Sequence, residues 1–249
     1  MSFTLHDIPS ALRHLAKGPS LERPEQGATS AVAFIGEVVL KRVTDPQYLA
    51  WLRDEHRVLL ALASAEVPVP RVLGFVDGDA EVWLASTRLP GISFAHALAD
   101  ANTTSDRLRL MHELGALLRR FHRTPIPRVL RSDFAWIDRK LERAHRNLAW
   151  SEGDEALLNE LVAHRPADVG DALIHGDLGL DNVLVHEGHV ACLIDWPMGG
   201  AGDPRFDMAL ALDGEPVHDN EAAAFWRGYG VPPLDKTTLR WFQRLWDFF

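Results

Sequence analysis

The segment Leu173–Asp195, LIHGDLGLDNVLVHEGHVACLID, places an aspartate at 177, an asparagine at 182 and a second aspartate at 195. A carboxylate held in a loop can accept the proton of a hydroxyl group. An asparagine amide oxygen and a carboxylate are hard oxygen ligands, a pair that suits Mg²⁺. A base beside such a metal site is what phosphoryl transfer requires, because positioning and charge neutralisation do most of its chemistry. Asn182–His186 and His189–Ile194 read as strands joined by a Glu187-Gly188 turn. That register sets Asn182 opposite Leu193 and makes Asp195 a diagonal neighbour, roughly 7–8 Å away. Asp177 is thus the candidate base, and Asn182 and Asp195 are the candidate metal ligands. Each alone has a plain structural account as a turn or capping residue. The spacing of all three argues for chemistry.

Lys41 supplies a second clue. Strand alternation in VVLKRV puts Val39, Lys41 and Val43 on one face. Glu55 lies between Leu52 and Leu59 on the apolar stripe of a helix expected over 47–65. A buried ammonium and a buried carboxylate are each costly unless paired. Pairing Lys41 with Glu55 removes both costs, and the ammonium would then hold the α- and β-phosphates of ATP. As independent surface residues the two need no such account. Gln26–Ser30 precedes the first strand and could form a turn over phosphates, with Gly27, Thr29 and Ser30 as candidates. It lacks both G-x-G-x-x-G and G-x-x-x-x-G-K-[ST]. His175 has no metal-ligand partner at a recognised spacing and reads as a residue that orients its loop. Asp203 and Pro204 fit the N-cap and first position of a helix, with Asp207 in its first turn, all read as structural.

The elements that must position these residues follow from periodicity. An amphipathic stretch, Ile8–Ala16, comes first, then a hairpin over 31–43, the helix over 47–65, and strands at Arg71–Val76 and Glu81–Ser86. Beyond Leu89-Pro90-Gly91 the chain turns helical. Helices are expected over 107–122 and about 132–149, 155–164, 204–212, 220–229 and 235–248. The aromatic C-terminal helix is expected to pack on its own lobe. The reading is α+β with two lobes and a cleft between them. Residues 1–88 would form an N-terminal nucleotide-binding lobe. Residues 89–249 would form a helical C-terminal lobe with the catalytic loop and substrate site.

Composition narrows the partners. A net charge of −9 argues against nucleic acid. No apolar run approaches the roughly 18 residues of a membrane span. Cys192 is the single cysteine, so no intrachain disulfide can form and a cytoplasmic location is the default. Residues 151–221 hold 16 acidic against 2 basic side chains, an excess that would attract metal ions and cationic substrates if part of it lines a cleft.

HGDLGLDN, LIDW and GDPRFDMA, in that order, resemble the aminoglycoside phosphotransferase and choline kinase-like family. GATSAVAFIGEVVLKRV, then Glu55, VPVPRVLG and RLPG resemble its N-terminal lobe. The resemblance implies a protein-kinase-like two-lobed fold, ATP or GTP as co-substrate with Mg²⁺, and transfer of the γ-phosphate to a small-molecule hydroxyl. It implies Asp177 as base, Asn182 and Asp195 as metal ligands, Lys41 paired with Glu55 at the phosphates, and backbone around Thr87–Leu89 at the adenine. Gly176 stands where protein kinases carry the arginine of H-R-D, and Ile-Asp-Trp replaces D-F-G. With no partner for an activation-loop phosphate, constitutive activity on a small molecule is expected, an aminoglycoside or similar cation among the candidates. Gly179-Leu180 departs from the His-Pro of many family members. Two other readings stay open at this point: a nucleotide-binding pseudokinase without turnover, and a metal-dependent hydrolase using Asp177 and Asp195.

Overall fold

A four-stranded antiparallel sheet organises the N-terminal part of the chain, with spatial order β1 (Ala31–Ile35), β2 (Val38–Val43), β4 (Val82–Thr87), β3 (Val72–Asp77). The computed structural model describes residues 2–18, 20–24, 29–64, 68–213 and 218–249. The chain divides into two compact units, Met1–Gly91 with Cys192–Met198, and Ile92–Ala191 with Gly199–Phe249.

In the first unit, β1 (Ala31–Ile35) and β2 (Val38–Val43) form the expected hairpin. Helix α1 (Leu49–Leu62) follows, then β3 (Val72–Asp77) and β4 (Val82–Thr87). Alternation decides the two faces of the sheet. Leu40, Trp83 and Ala85 point to one face and pack with Phe3, Ile8 and Leu12 of the N-terminal segment. That segment forms a 3₁₀ helix at Ser10–Leu15, within the amphipathic stretch Ile8–Ala16. Lys41 and its cross-strand partner Leu84 point to the other face. Helix α1 presents Leu49, Leu52, Glu55, Val58, Leu59 and Leu62 as its buried stripe, so Glu55 is a carboxylate among leucines.

The second unit opens with a two-residue strand, β5 (Ile92–Ser93), and a short helix, α2 (Phe94–Ala99), capped by the Ser93 hydroxyl. Helices α3 (Thr104–His122), α4 (Trp136–Asn147) and α5 (Glu155–Ala163) follow. Strand β6 (Ala172–Ile174) leads into the candidate catalytic loop. The hairpin of β7 (Val183–His186) and β8 (His189–Leu193) comes next, then β9 (Gly200–Gly202), which pairs with β6. Helices α6 (Pro204–Ala211), α7 (Asp219–Tyr229) and α8 (Lys236–Trp246) complete the unit. Glu113 of α3 accepts the backbone N–H of Val190 at 3.0 Å, which ties the hairpin to the helix. Helix α8 buries Trp241, Phe242 and Leu245, and the following Phe248 is fully buried, so the aromatic C-terminal segment packs within its own unit.

The β-rich first part and helical second part are the α+β arrangement that the periodicity implies. Among the described residues, no helix is long and apolar enough to cross a membrane.

Candidate active site

Lys41 is the centre of a charged triad in the first unit. Its Nζ donates to Glu55 Oε1 at 2.7 Å, to Glu55 Oε2 at 2.8 Å and to Asp195 Oδ1 at 2.7 Å. Glu55 is buried and also accepts the backbone N–H of Trp196. Burial opposes the lysine charge, but the Asp195 and Glu55 carboxylates outweigh it and hold Lys41 well above its ordinary pKa. Burial and the charge of Asp195 push Glu55 upward against the pull of Lys41. Asp195 adopts φ 66°, an unusual conformation for a side chain of its kind. Its contact with Lys41 and the burial of Trp196, whose indole N–H donates to Leu193 O at 3.1 Å, fix that turn. Asp195 keeps a side-chain exposure of 46%, so it also faces open space.

In the second unit the loop after β6 is held from below by Asp207. Its Oδ2 accepts the backbone N–H of His175 at 2.7 Å, and its Oδ1 accepts that of Gly176 at 2.8 Å. Gly176 has φ 81°, a left-handed conformation that an arginine would strain. His175 is fully buried, and its Nδ1 accepts the Asp177 N–H at 3.3 Å, the loop-orienting role its sequence context suggests. Asn182 Nδ2 donates to the Asp177 carbonyl at 2.8 Å and closes the loop. Asn182 therefore ends a 3₁₀ turn, Leu180–Asn182, and the strand starts one residue later than its apolar pattern suggests.

Asp207 has a further partner. His122 Nε2 lies 3.1 Å from Asp207 Oδ2, and His122 Nδ1 lies 2.8 Å from the Tyr229 hydroxyl. Burial raises the Tyr229 phenol to about 12, which keeps it protonated as a donor. Tyr229, His122 and Asp207 thus form a buried chain of hydrogen bonds that ends on the candidate catalytic loop. Sequence reading missed Asp207 as a site residue. The available signal was a carboxylate inside a helix whose neighbours Phe206, Met208, Ala209 and Leu210 are all apolar, because such a group needs partners.

Asp177 opens onto a cavity of about 370 Å³. Asp181 and Asp213 line it too, with Leu180, Leu210 and Trp246 as its apolar walls. The remaining candidates are placed as follows. Gly27 lies outside the described residues, and Thr29 and Ser30 immediately precede β1. Thr87 uses its N–H and its hydroxyl on the backbone of Arg71, both at 2.9 Å, and Arg88 N–H donates to Glu37 O at 2.8 Å. Leu89 follows β4 directly.

The structure thus holds a lysine between two carboxylates in the first unit and an Asp–Asn loop clamped by Asp207 in the second. Comparison with known proteins agrees. The chain is 31% identical over 209 residues to an aminoglycoside 3'-phosphotransferase of Streptomyces fradiae, covering 74% of each. It is 29% identical over 222 residues to a streptomycin 3''-kinase of Streptomyces griseus, covering 79% of each. The crystal structure of an aminoglycoside-3'-phosphotransferase of type VIII superposes with a TM-score of 0.78 at 29% identity, over 96% of this chain and 98% of that one. The fold is therefore protein-kinase-like. The model of the phosphotransferase enzyme family matches residues 20–242. This chain belongs to that family and is a small-molecule phosphotransferase.

Proposed function

We propose that this protein transfers the γ-phosphoryl group of ATP, or GTP, to a hydroxyl of a small cationic acceptor of the aminoglycoside kind. The observation that carries the acceptor class is the cavity itself, which Asp177, Asp181, Asp213 and Trp246 line together. Carboxylates in such a space favour ammonium groups, and an indole attracts a ligand cation placed over its ring. The names of the Streptomyces fradiae and Streptomyces griseus relatives point to the same class.

In this reading Asp177 accepts the proton of the acceptor hydroxyl as it attacks the γ-phosphorus. The Asp207 clamp and the Asn182 side chain hold the backbone on either side of that carboxylate, so little reorganisation is needed at the moment of transfer. Lys41, oriented by Glu55, binds the α- and β-phosphates. Gly27, Thr29 and Ser30 cover the phosphates, and the backbone from Thr87 to Leu89 meets the base. Asn182 and Asp195 offer two hard oxygen donors and fit Mg²⁺. Asn182 uses its amide nitrogen on the Asp177 carbonyl, so its amide oxygen is the atom that would take the ion. The ion, when bound, would neutralise phosphate charge. The partners are a nucleoside triphosphate and a small acceptor, with neither nucleic acid nor membrane.

The test is nucleotide consumption across a panel of aminoglycosides, macrolides, sugars and amino alcohols, with Asp177→Asn as control. Aminoglycoside-dependent turnover is expected, lost by at least ~10³-fold in Asp177→Asn while nucleotide still binds. Wild-type turnover in that variant would refute the assignment of the base. Slow nucleotide hydrolysis indifferent to every acceptor would instead indicate a nucleotide-binding scaffold.

A further inference from the structure

Tyr229 is the last residue of α7 and is buried, although its hydroxyl needs a partner there. Two glycines set its place. A Cβ on Gly115 of α3 would overlap Phe225 O and lie 2.8 Å from Tyr229 N, and a Cβ on Gly228 of α7 would overlap His112 O. Helices α3 and α7 therefore meet backbone to backbone at these positions. Gly115 precedes His122 by two helical turns, so both lie on the face of α3 that is turned to α7. The close approach brings the Tyr229 hydroxyl to 2.8 Å from His122 Nδ1. The Tyr229 ring packs separately on Phe225 and Trp226, with centroids 6.2 Å and 6.4 Å away.

The direction of each bond follows from the groups that make it. The Asp207 carboxylate only accepts, and its Oδ2 takes the His175 N–H as well as His122. His122 Nε2 is therefore the protonated nitrogen. A neutral imidazole then offers a lone pair at Nδ1, and the Tyr229 hydroxyl, which burial keeps protonated, is the donor that meets it. Hydroxyl, imidazole and carboxylate each have one role, and the chain runs from α7 to the backbone beside Asp177.

We propose that Tyr229 is a positioning residue for phosphoryl transfer: from α7 it holds His122 against Asp207, and through that carboxylate it fixes the backbone of His175 and Gly176. Without the hydroxyl, His122 Nδ1 becomes a buried acceptor that has lost its donor. The ring is then free to tilt, and Asp207 Oδ2 loses one of the two N–H groups that set its direction. Bonds in such a chain polarise and restrain one another, so a change at one end is felt at the other. The effect reaches Asp177 only by way of Asp207, through the two N–H groups that precede it in the loop.

The inference rests on Asp177 being the base, so the experiment separates the two. Tyr229→Phe removes the hydroxyl and keeps the ring that packs on Phe225 and Trp226. Steady-state kinetics are measured for wild type, Tyr229→Phe, Asp207→Asn and the double variant, each substrate varied in turn, at a temperature where all four are folded. In Tyr229→Phe kcat falls on the order of 10-fold, less than for an ångström-scale displacement of the base, and the nucleotide KM holds within about twofold. In the Asp207→Asn background the same substitution adds little, because its path runs through Asp207. Wild-type kcat in Tyr229→Phe, or an equal loss in both backgrounds, overturns the proposal. Amide hydrogen exchange supplies a readout independent of turnover. In Tyr229→Phe the His175 and Gly176 amides exchange faster, on the order of 10-fold, relative to the amides of α3. A purely structural tyrosine would speed exchange throughout the unit and leave kcat of the folded protein unchanged, and that pattern overturns the proposal as well. Full turnover in Asp177→Asn would instead remove the base assignment beneath it, while the exchange of the two amides still reads the clamp.

Discussion

The carboxylate of Asp207 holds the backbone of His175: its Oδ2 accepts that N–H at 2.7 Å across 32 residues of sequence. With Gly176 N–H on Oδ1 and His122 on Oδ2, one fully buried side chain satisfies three polar groups. The loop that carries Asp177 is thereby fixed from outside the loop itself.

Asp207→Ala should strand those three groups, at about 1–3 kcal/mol each for an unmet buried partner. Asp207→Asn retains one acceptor oxygen but turns an amide donor toward an N–H. Its kcat should fall ~10²-fold, the scale of an ångström-level misplacement of a catalytic group. The KM for nucleotide should change little, because the Lys41 triad belongs to the other unit. Steady-state kinetics with each substrate varied separate the two effects. Wild-type kcat in a folded Asp207→Asn protein would show that the clamp does not position the base.

Lys41 and Glu55 predict an asymmetric pair of variants. Lys41→Met leaves Glu55 buried without its cation and should cost about 3–5 kcal/mol in urea unfolding. Glu55→Gln leaves Lys41 bonded to Asp195 and should cost less. The folded-state pKa of Lys41 is raised, so its contribution is fully present below the unfolded value of about 10.4 and is lost only as pH rises through the folded one. The order of the two variants should therefore hold from pH 6 to 9. A reversed order would mean that Asp195, not Glu55, is the principal partner of Lys41.

Much of this site was legible because linear spacing encodes it. Lys41 and Glu55 could be matched since each was costly on the face its element buries. Asp177, Asn182 and Asp195 stand in one continuous segment whose turn residues are explicit. Asp207 was legible only as a charge at a helix start, because its partners are main-chain N–H groups that no side-chain pattern reveals. Lys140 lies in a helix crowded with arginines, which reads as a solvated face until Phe206 and Phe249 are placed over it. Strand β5 escaped notice because two residues carry no period. Its pairing of Ile92 with Val185 and Ser93 with Leu184 is set by the fold. Asp181 and Asp213 were visible only as part of an acidic excess, and the cavity is what brings them beside Asp177.

Gly176 makes a sharper prediction about the loop. At φ 81° any side chain is strained, by roughly 1–2 kcal/mol for an L-residue in the left-handed region. Gly176→Ala should lose about that much stability in denaturant. Its turnover should fall by more than the stability change accounts for at a temperature where the protein stays folded, since relief of the strain would move Asp177. Equal kcat in a destabilised Gly176→Ala protein would mean that the loop absorbs the change without shifting the base.

Lys140, buried in α4, predicts how stability depends on pH. Its folded-state value of about 7 lies below the ordinary 10.5, with burial the largest cause. Between those two values the unfolded chain binds the extra proton, so folding stability rises with pH across that window. Below pH 7 the folded protein carries the buried cation at a cost that Lys140→Met removes. That variant should be more stable than wild type at pH 6, by at most about 5 kcal/mol. The gain should shrink as pH climbs toward 10. Urea unfolding of both proteins at pH 6 and pH 9 checks the sign, and a pH-independent difference would place the charge of Lys140 in contact with water.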